Sequence, residues 1–121
     1  MTDETVVREV VLRAERDAVW SALTEGGRMS EWFGGTVAID PRVRGRVSVA
    51  EPSGDVREGV VVGLLHPIRL VIEWAAAPDH AKPASRVEFT LEEVDGGTRL
   101  TVVERSISAS RPVGFLAEVS R

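Results

Sequence analysis

From Thr36 onward the chain is a succession of short runs in which apolar residues recur at every second position. Most of these runs end in glycine, proline or aspartate. A period of two puts successive side chains on opposite faces of an extended strand, so this stretch is committed to a sheet. Ser85–Val94 is the cleanest example: Val87, Phe89 and Leu91 alternate with Arg86, Glu88, Thr90 and Glu92. Asp95-Gly96-Gly97 is a tight hairpin turn. Thr98–Ile107 then returns, with Leu100 and Val102 opposed to Thr101 and Val103. Earlier, Thr36–Asp40 opens the series before a turn at Pro41. Arg44–Ala50 sets Val47 and Val49 on one face against Arg46 and Ser48 on the other. In the turn Pro52-Ser53-Gly54-Asp55, proline presets φ and glycine accepts a positive φ. Arg57–Leu65 is apolar on both faces after Glu58, as a central strand is, and His66-Pro67 ends it. Arg69–Trp74 aligns Leu70, Ile72 and Trp74. The segment 75–83, with two prolines and little periodicity, reads as a loop.

Upstream the period changes. Thr5–Ala14 mixes valines and charges, a strand with both faces partly covered. In Glu15–Leu23, Ala18, Val19, Ala22 and Leu23 recur at helical spacing beside Trp20, and Gly26-Gly27 stops the helix. Arg28–Phe33 makes a second short helix, closed by Gly34-Gly35. The order is strand, two short helices, then six strands on short turns, which implies an antiparallel meander. A strongly twisted sheet of seven strands curls. The expected fold class is therefore α+β: a curved seven-stranded antiparallel sheet, two short helices after the first strand, and a short C-terminal helix. With 121 residues the chain fits one domain, 1–121, and buries roughly two-thirds of its unfolded surface.

Composition excludes several function classes. A net charge of -4, with arginines that mostly alternate with acids, lacks the concentrated basic surface of a nucleic-acid binder. The absence of cysteine removes disulfides, thiolate catalysis and cysteine-based zinc sites. Met1-Thr2-Asp3-Glu4 is acidic without an apolar signal core, and no apolar run approaches the ~20 residues of a membrane span. A cytoplasmic protein that does not span a membrane is expected. His66 and His80, the only histidines, have no second metal ligand at usable spacing, so neither metal nor other cofactor is expected.

A set of local motifs, in order, carries a resemblance. Ala18-Val19-Trp20-Ser21-Ala22-Leu23-Thr24 is followed by Trp32-Phe33-Gly34 and the Ile39-Asp40-Pro41-Arg42 turn. Then come Glu58-Gly59, Pro67-Ile68-Arg69-Leu70-Val71, Trp74, Ser85-Arg86-Val87 and Gly96-Gly97-Thr98-Arg99-Leu100. Over residues 5 to about 105 this resembles the START-like helix-grip superfamily, and within it the branch of homologues of the activator of the ninety-kilodalton heat-shock protein's ATPase. The resemblance implies a curved sheet gripping a C-terminal helix, with a cavity for a hydrophobic small molecule or lipid between them. Some relatives are cyclases or aromatases, and others are co-chaperones. The family's closing helix runs about five turns, roughly 18 residues. Here 14 residues follow Ile107, enough for two to three turns capped by Ser110, with Phe115, Leu116 and Val119 toward the sheet. The groove is then partly open, covered by a second chain, or closed by sequence beyond Arg121.

Candidate ligand-binding residues follow from the pattern. Trp32 and Phe33 are either a wall of an apolar pocket or anchors of the helix pair, as is Trp20. Val47, Val49, Val60, Val62, Ile72, Trp74, Phe89, Leu91, Leu100 and Val102 are expected on the concave face, around a cavity or in a filled core. Glu104 shares parity with Leu100 and Val102, and Glu58 precedes an apolar run. An inward carboxylate is costly unless paired, with Arg46 or Arg105 as partners, whereas at a strand end it sits in water. With no cysteine, no tyrosine and no serine motif, nucleophilic catalysis has no support and no catalytic residue is assigned. The leading reading is non-catalytic binding of a hydrophobic small molecule or lipid. The alternatives are an interaction module with a chaperone partner or a second copy of the chain, and then a cyclase- or hydrolase-like enzyme.

Overall fold

The computed structural model describes residues 5–25, 36–75 and 84–107. Its elements run β1 Thr5–Leu12, α1 Arg16–Thr24, β2 Thr36–Ile39, β3 Arg46–Ala50, β4 Val56–Leu65, β5 Arg69–Trp74, β6 Ser85–Val94 and β7 Gly97–Ser106. The strands form one seven-stranded sheet in the order β1-β7-β6-β5-β4-β3-β2, every pair antiparallel. This is the expected meander, with β1 added to the edge beside β7. The second helix expected at 28–33 and the closing helix expected after Ser110 lie outside the described residues. No described helix is long and apolar enough to cross a membrane.

The turns form where local chemistry favours them. Gly97 pairs with Val94, so Asp95-Gly96 is a two-residue hairpin loop, and Gly96 takes φ 84, which a side chain would disfavour. At the β3–β4 turn, Glu51 N–H donates to the Asp55 carbonyl and Gly54 N–H to the Glu51 carbonyl, each at 2.8 Å.

The two faces of the sheet differ sharply. Outward residues form a lattice of opposite charges: Arg69 Nε lies 2.7 Å from Glu88, and Arg99 reaches Glu92 at 2.8 Å and Glu9 at 3.7 Å. Inward residues make the core. Leu70 and Ile72 of β5, Phe89 and Leu91 of β6, and Leu100 of β7 cluster with Val47 of β3 and Val61 of β4. Helix α1 closes one end of this cluster with Val19, Trp20 and Leu23. The helix's inward stripe is thus Val19, Trp20 and Leu23, while Ala18 is exposed. Trp20 anchors the helix, its ring edge-on to His66 at 5.5 Å. The N-terminal side of the helix is held by Thr98: its buried Oγ1 donates to the Ala14 carbonyl at 2.7 Å.

Strand β4 departs from the expected phase. Val60 pairs with Arg46 on one side and Glu73 on the other, away from the core. Val62 is the extra residue of a bulge between Val61 and Gly63. The inward side chain is Val61, which is fully buried. An all-valine run carries no polar residue to mark its outer face, and the inward position before Val61 is Gly59, which has no side chain to reveal the phase.

Candidate functional site

Beyond α1, the concave face opens into a groove of about 730 Å³. Its floor is apolar, built from Val49, Trp74, Val87, Phe89, Leu100 and Val102. These residues come from four strands and share the inward parity: Phe89 lies opposite Val102, and Trp74 opposite Gly59. The Gly59–Trp74 pair shapes the floor. A Cβ at Gly59 would meet Trp74 Cε3 at 2.8 Å and the Glu73 carbonyl oxygen at 2.6 Å, so the indole lies directly across the glycine. The Arg57 guanidinium sits 5.5 Å from the Trp74 ring centroid, a cation–π contact that fixes the ring further.

Charged groups stand at both ends. At the β3–β4 end are Arg57, Glu51 and Ser53; at the β1–β7 end are Arg8 and Glu104. Arg8 pairs in register with Val102, and Glu104 with Val6 and Val87, so both share the inward parity. Among the described residues Arg8 and Glu104 make no ion pair. Among the described residues neither Arg46 nor Arg105 makes an ion pair with Glu58 or Glu104. Arg105 pairs with Arg86 and so belongs to the outer face, and Arg46 lies opposite Val60. Glu58 lies opposite Ser48, is exposed, and lines a separate shallow outer concavity.

The expected site residues therefore divide. Val49, Trp74, Phe89, Leu100, Val102 and Glu104 line the groove. Val47, Ile72 and Leu91 face inward but are sealed in the core with α1, at 0–1% exposure, and do not line it. Val60 and Val62 are displaced by the phase of β4, and Trp32 and Phe33 lie outside the described residues. Sequence reasoning missed Arg8 and Arg57. Arg8 follows Val6 at a spacing of two within β1, a signal that was present but masked by valines on both parities. His66 lies at the β4–β5 turn beside α1 and is not among the groove's lining residues. Among the described residues no cluster of three or more histidines or acids could hold a metal.

A curled antiparallel sheet with a helix across one end and a groove at the other defines the START-like helix-grip class. Within it, the chain belongs to the Activator of Hsp90 ATPase homolog 1-like protein family, whose model matches residues 13–116. CalU16 from Micromonospora echinospora is 29% identical with a TM-score of 0.70, over 92% of this chain and 66% of that one. DynU16, a protein of the dynemicin biosynthetic locus, is 27% identical with a TM-score of 0.72, over 95% of this chain and 41% of that one. The chain thus spans less than two thirds of either relative. A protein from Mesorhizobium loti shares the fold at 24% identity and a TM-score of 0.78, over 97% of this chain and 87% of that one. No curated protein matches the chain.

Proposed function

We propose that the protein binds a hydrophobic small molecule or lipid in the groove without converting it. The observation that carries this reading is the concavity itself: about 730 Å³ over an apolar, partly aromatic floor with a few charged groups at its ends. Ligand sites have this composition, because apolar contact supplies affinity and sparse polar groups supply orientation. The setting of DynU16 in a biosynthetic locus supports a small molecule as the ligand. A thermal-shift screen against fatty acids, sterols, phospholipids and fused-ring aromatics, with native mass spectrometry on the same sample, tests it. A dose-dependent rise in Tm with one ligand per chain is expected, since a ligand that binds only the folded state stabilises it by mass action. No shift with any class would refute it. Glu104→Gln separates binding from turnover: affinity should persist, and loss of a conversion would instead favour an enzyme.

A second reading rests on β1. This edge strand leaves Val6, Val7, Val10 and Val11 exposed, between 42% and 61%. Among the described residues β1 pairs only with β7, and an apolar edge of this kind supports strand addition by a second copy or a chaperone-type partner. A dimer in the ligand-free mass spectrum, lost on placing lysine at Val7, would favour it.

A further inference from the structure

The outer edge of β1 is patterned to pair with itself. We infer that a second copy of the chain adds to it antiparallel, about a two-fold axis at Glu9, so that the two sheets join into one. This rests on β1 being an association edge, and it fixes both the partner and the register.

Three observations carry the inference. First, the hydrogen-bond phase reaches the edge unbroken. In a two-residue hairpin the flanking residues, here Val94 and Gly97, exchange both backbone bonds. Bonding then alternates, so the odd-numbered residues of β7 bond to β6 and the even-numbered ones to β1. Ile107 N–H, which donates to the Ala84 carbonyl at 2.8 Å, keeps this phase. The β1–β7 register has no bulge, and Val6, Arg8, Val10 and Leu12 lie opposite the even residues of β7. The N–H and C=O groups of Thr5, Val7, Glu9 and Val11 therefore point away from β7, along the edge of the sheet. Second, a two-fold axis restricts the register. It keeps the two faces of the sheet continuous, so each residue meets one of its own parity. A centre at Arg8 would set that arginine against its own copy and Val7 against Glu9. Centres at Val7 or Val10 would each leave two of the four valines past the end of the strand. A centre at Glu9 sets Val7 against Val11, Val6 against Leu12, and Val10 against the aliphatic stem of Arg8, each pair made twice. All four exposed valines then gain a cross-strand partner. Third, the one like-charged contact of this register has cations beside it. Glu9 meets its copy on the outer face, and Arg99 of its own chain lies 3.7 Å from it. Two guanidiniums thus stand beside the two carboxylates.

The chain has no cysteine, so single substitutions report the register. Opposite residues of a hydrogen-bonded pair have Cα atoms about 5.5 Å apart, within reach of a disulfide. With the centre at Glu9, each Val7 is four residues, about 14 Å, from its own copy. Under mild oxidation Glu9→Cys should cross-link at least about tenfold more than Val7→Cys or Val11→Cys. Val7 and Val11 are 61% and 51% exposed, so random collision would not spare them. Mixing the last two variants should restore the cross-link. Circular dichroism confirms that each variant is folded, and native mass spectrometry gives the oligomeric state of the parent. A dimer that cross-links as well through Val7→Cys as through Glu9→Cys would overturn the two-fold at Glu9 and leave the edge reading standing. A monomeric parent, or a dimer that cross-links at none of the three positions, would overturn the second copy on β1 altogether.

Discussion

Gly59→Ala probes the contact that shapes the groove floor. The added methyl would lie 2.6 Å from the Glu73 carbonyl oxygen and 2.8 and 3.2 Å from Trp74 Cε3 and Cδ2. These distances are inside van der Waals contact, and one of the three partners is backbone, which cannot simply rotate aside. Overpacking of this kind costs about 1–3 kcal/mol. Against it stands the lower conformational freedom of alanine in the unfolded chain, which contributes about 0.4–1 kcal/mol in favour of the variant. The net expectation is a loss of about 1–2 kcal/mol, or roughly 4–8 °C in Tm for a domain of this size. Urea unfolding followed by circular dichroism measures it. The cost should fall in a Trp74→Leu background, because two of the three contacts go with the ring while the Glu73 oxygen stays. The coupling should be about 0.5–1 kcal/mol, within the range seen for touching residues. A Gly59→Ala protein as stable as the parent, or an equal cost in both backgrounds, would refute the claim that the indole rests on the glycine.

Other expectations follow from the sealed end and the outer face. Leu23→Ala empties a fully buried site in the core and should cost about 2–5 kcal/mol in a urea melt. Thr98→Val keeps the shape but strands the Ala14 carbonyl, so a loss of about 1–3 kcal/mol is expected, with Thr98→Ser recovering part of it. Arg69→Met breaks an ion pair with Glu88 that is largely in solvent, and should cost no more than about 1 kcal/mol, a difference that disappears in 1 M NaCl.

Much of this architecture was legible because strand phase is written wherever apolar and charged residues alternate. Val87, Phe89 and Leu91 could face only one way, since Arg86, Glu88 and Thr90 sit between them. The same logic put Leu100 and Val102 on one parity, and the β6–β7 register sets them opposite Leu91 and Phe89. It failed in β4, where valines fill both parities and the deciding residue is a glycine. It also gave no means of dividing inward residues between core and groove. Ile72 and Trp74 share a strand and a face, yet one is sealed and the other lines the concavity. That difference depends on where α1 ends in space, which no local pattern encodes. Thr98 was illegible for a related reason: its value lies in the Ala14 carbonyl, 84 residues away in the chain.

The division of the inner face follows from the lengths of the elements. Helix α1 has nine residues and is about 14 Å long, whereas β6 and β7, with ten residues each, extend about 33 Å. At any crossing angle such a helix covers less than half the face. Its buried face packs on apolar side chains, and the buried polar residue beside its start, Thr98, keeps a hydrogen bond to the Ala14 carbonyl, because a polar group sealed there without a partner would lose its water with nothing in return. Arg8, Arg57, Glu51 and Glu104 all fall outside that footprint, around the groove. Their positions mark where burial stops being complete. Stability is concentrated beneath the helix, in Leu23, Val61, Leu70 and Ile72. The remaining apolar floor is held in shape by the sheet itself, through the cross-strand Gly59–Trp74 pair and the Arg57 contact. A groove supported in this way can change its lining residues without dismantling the core.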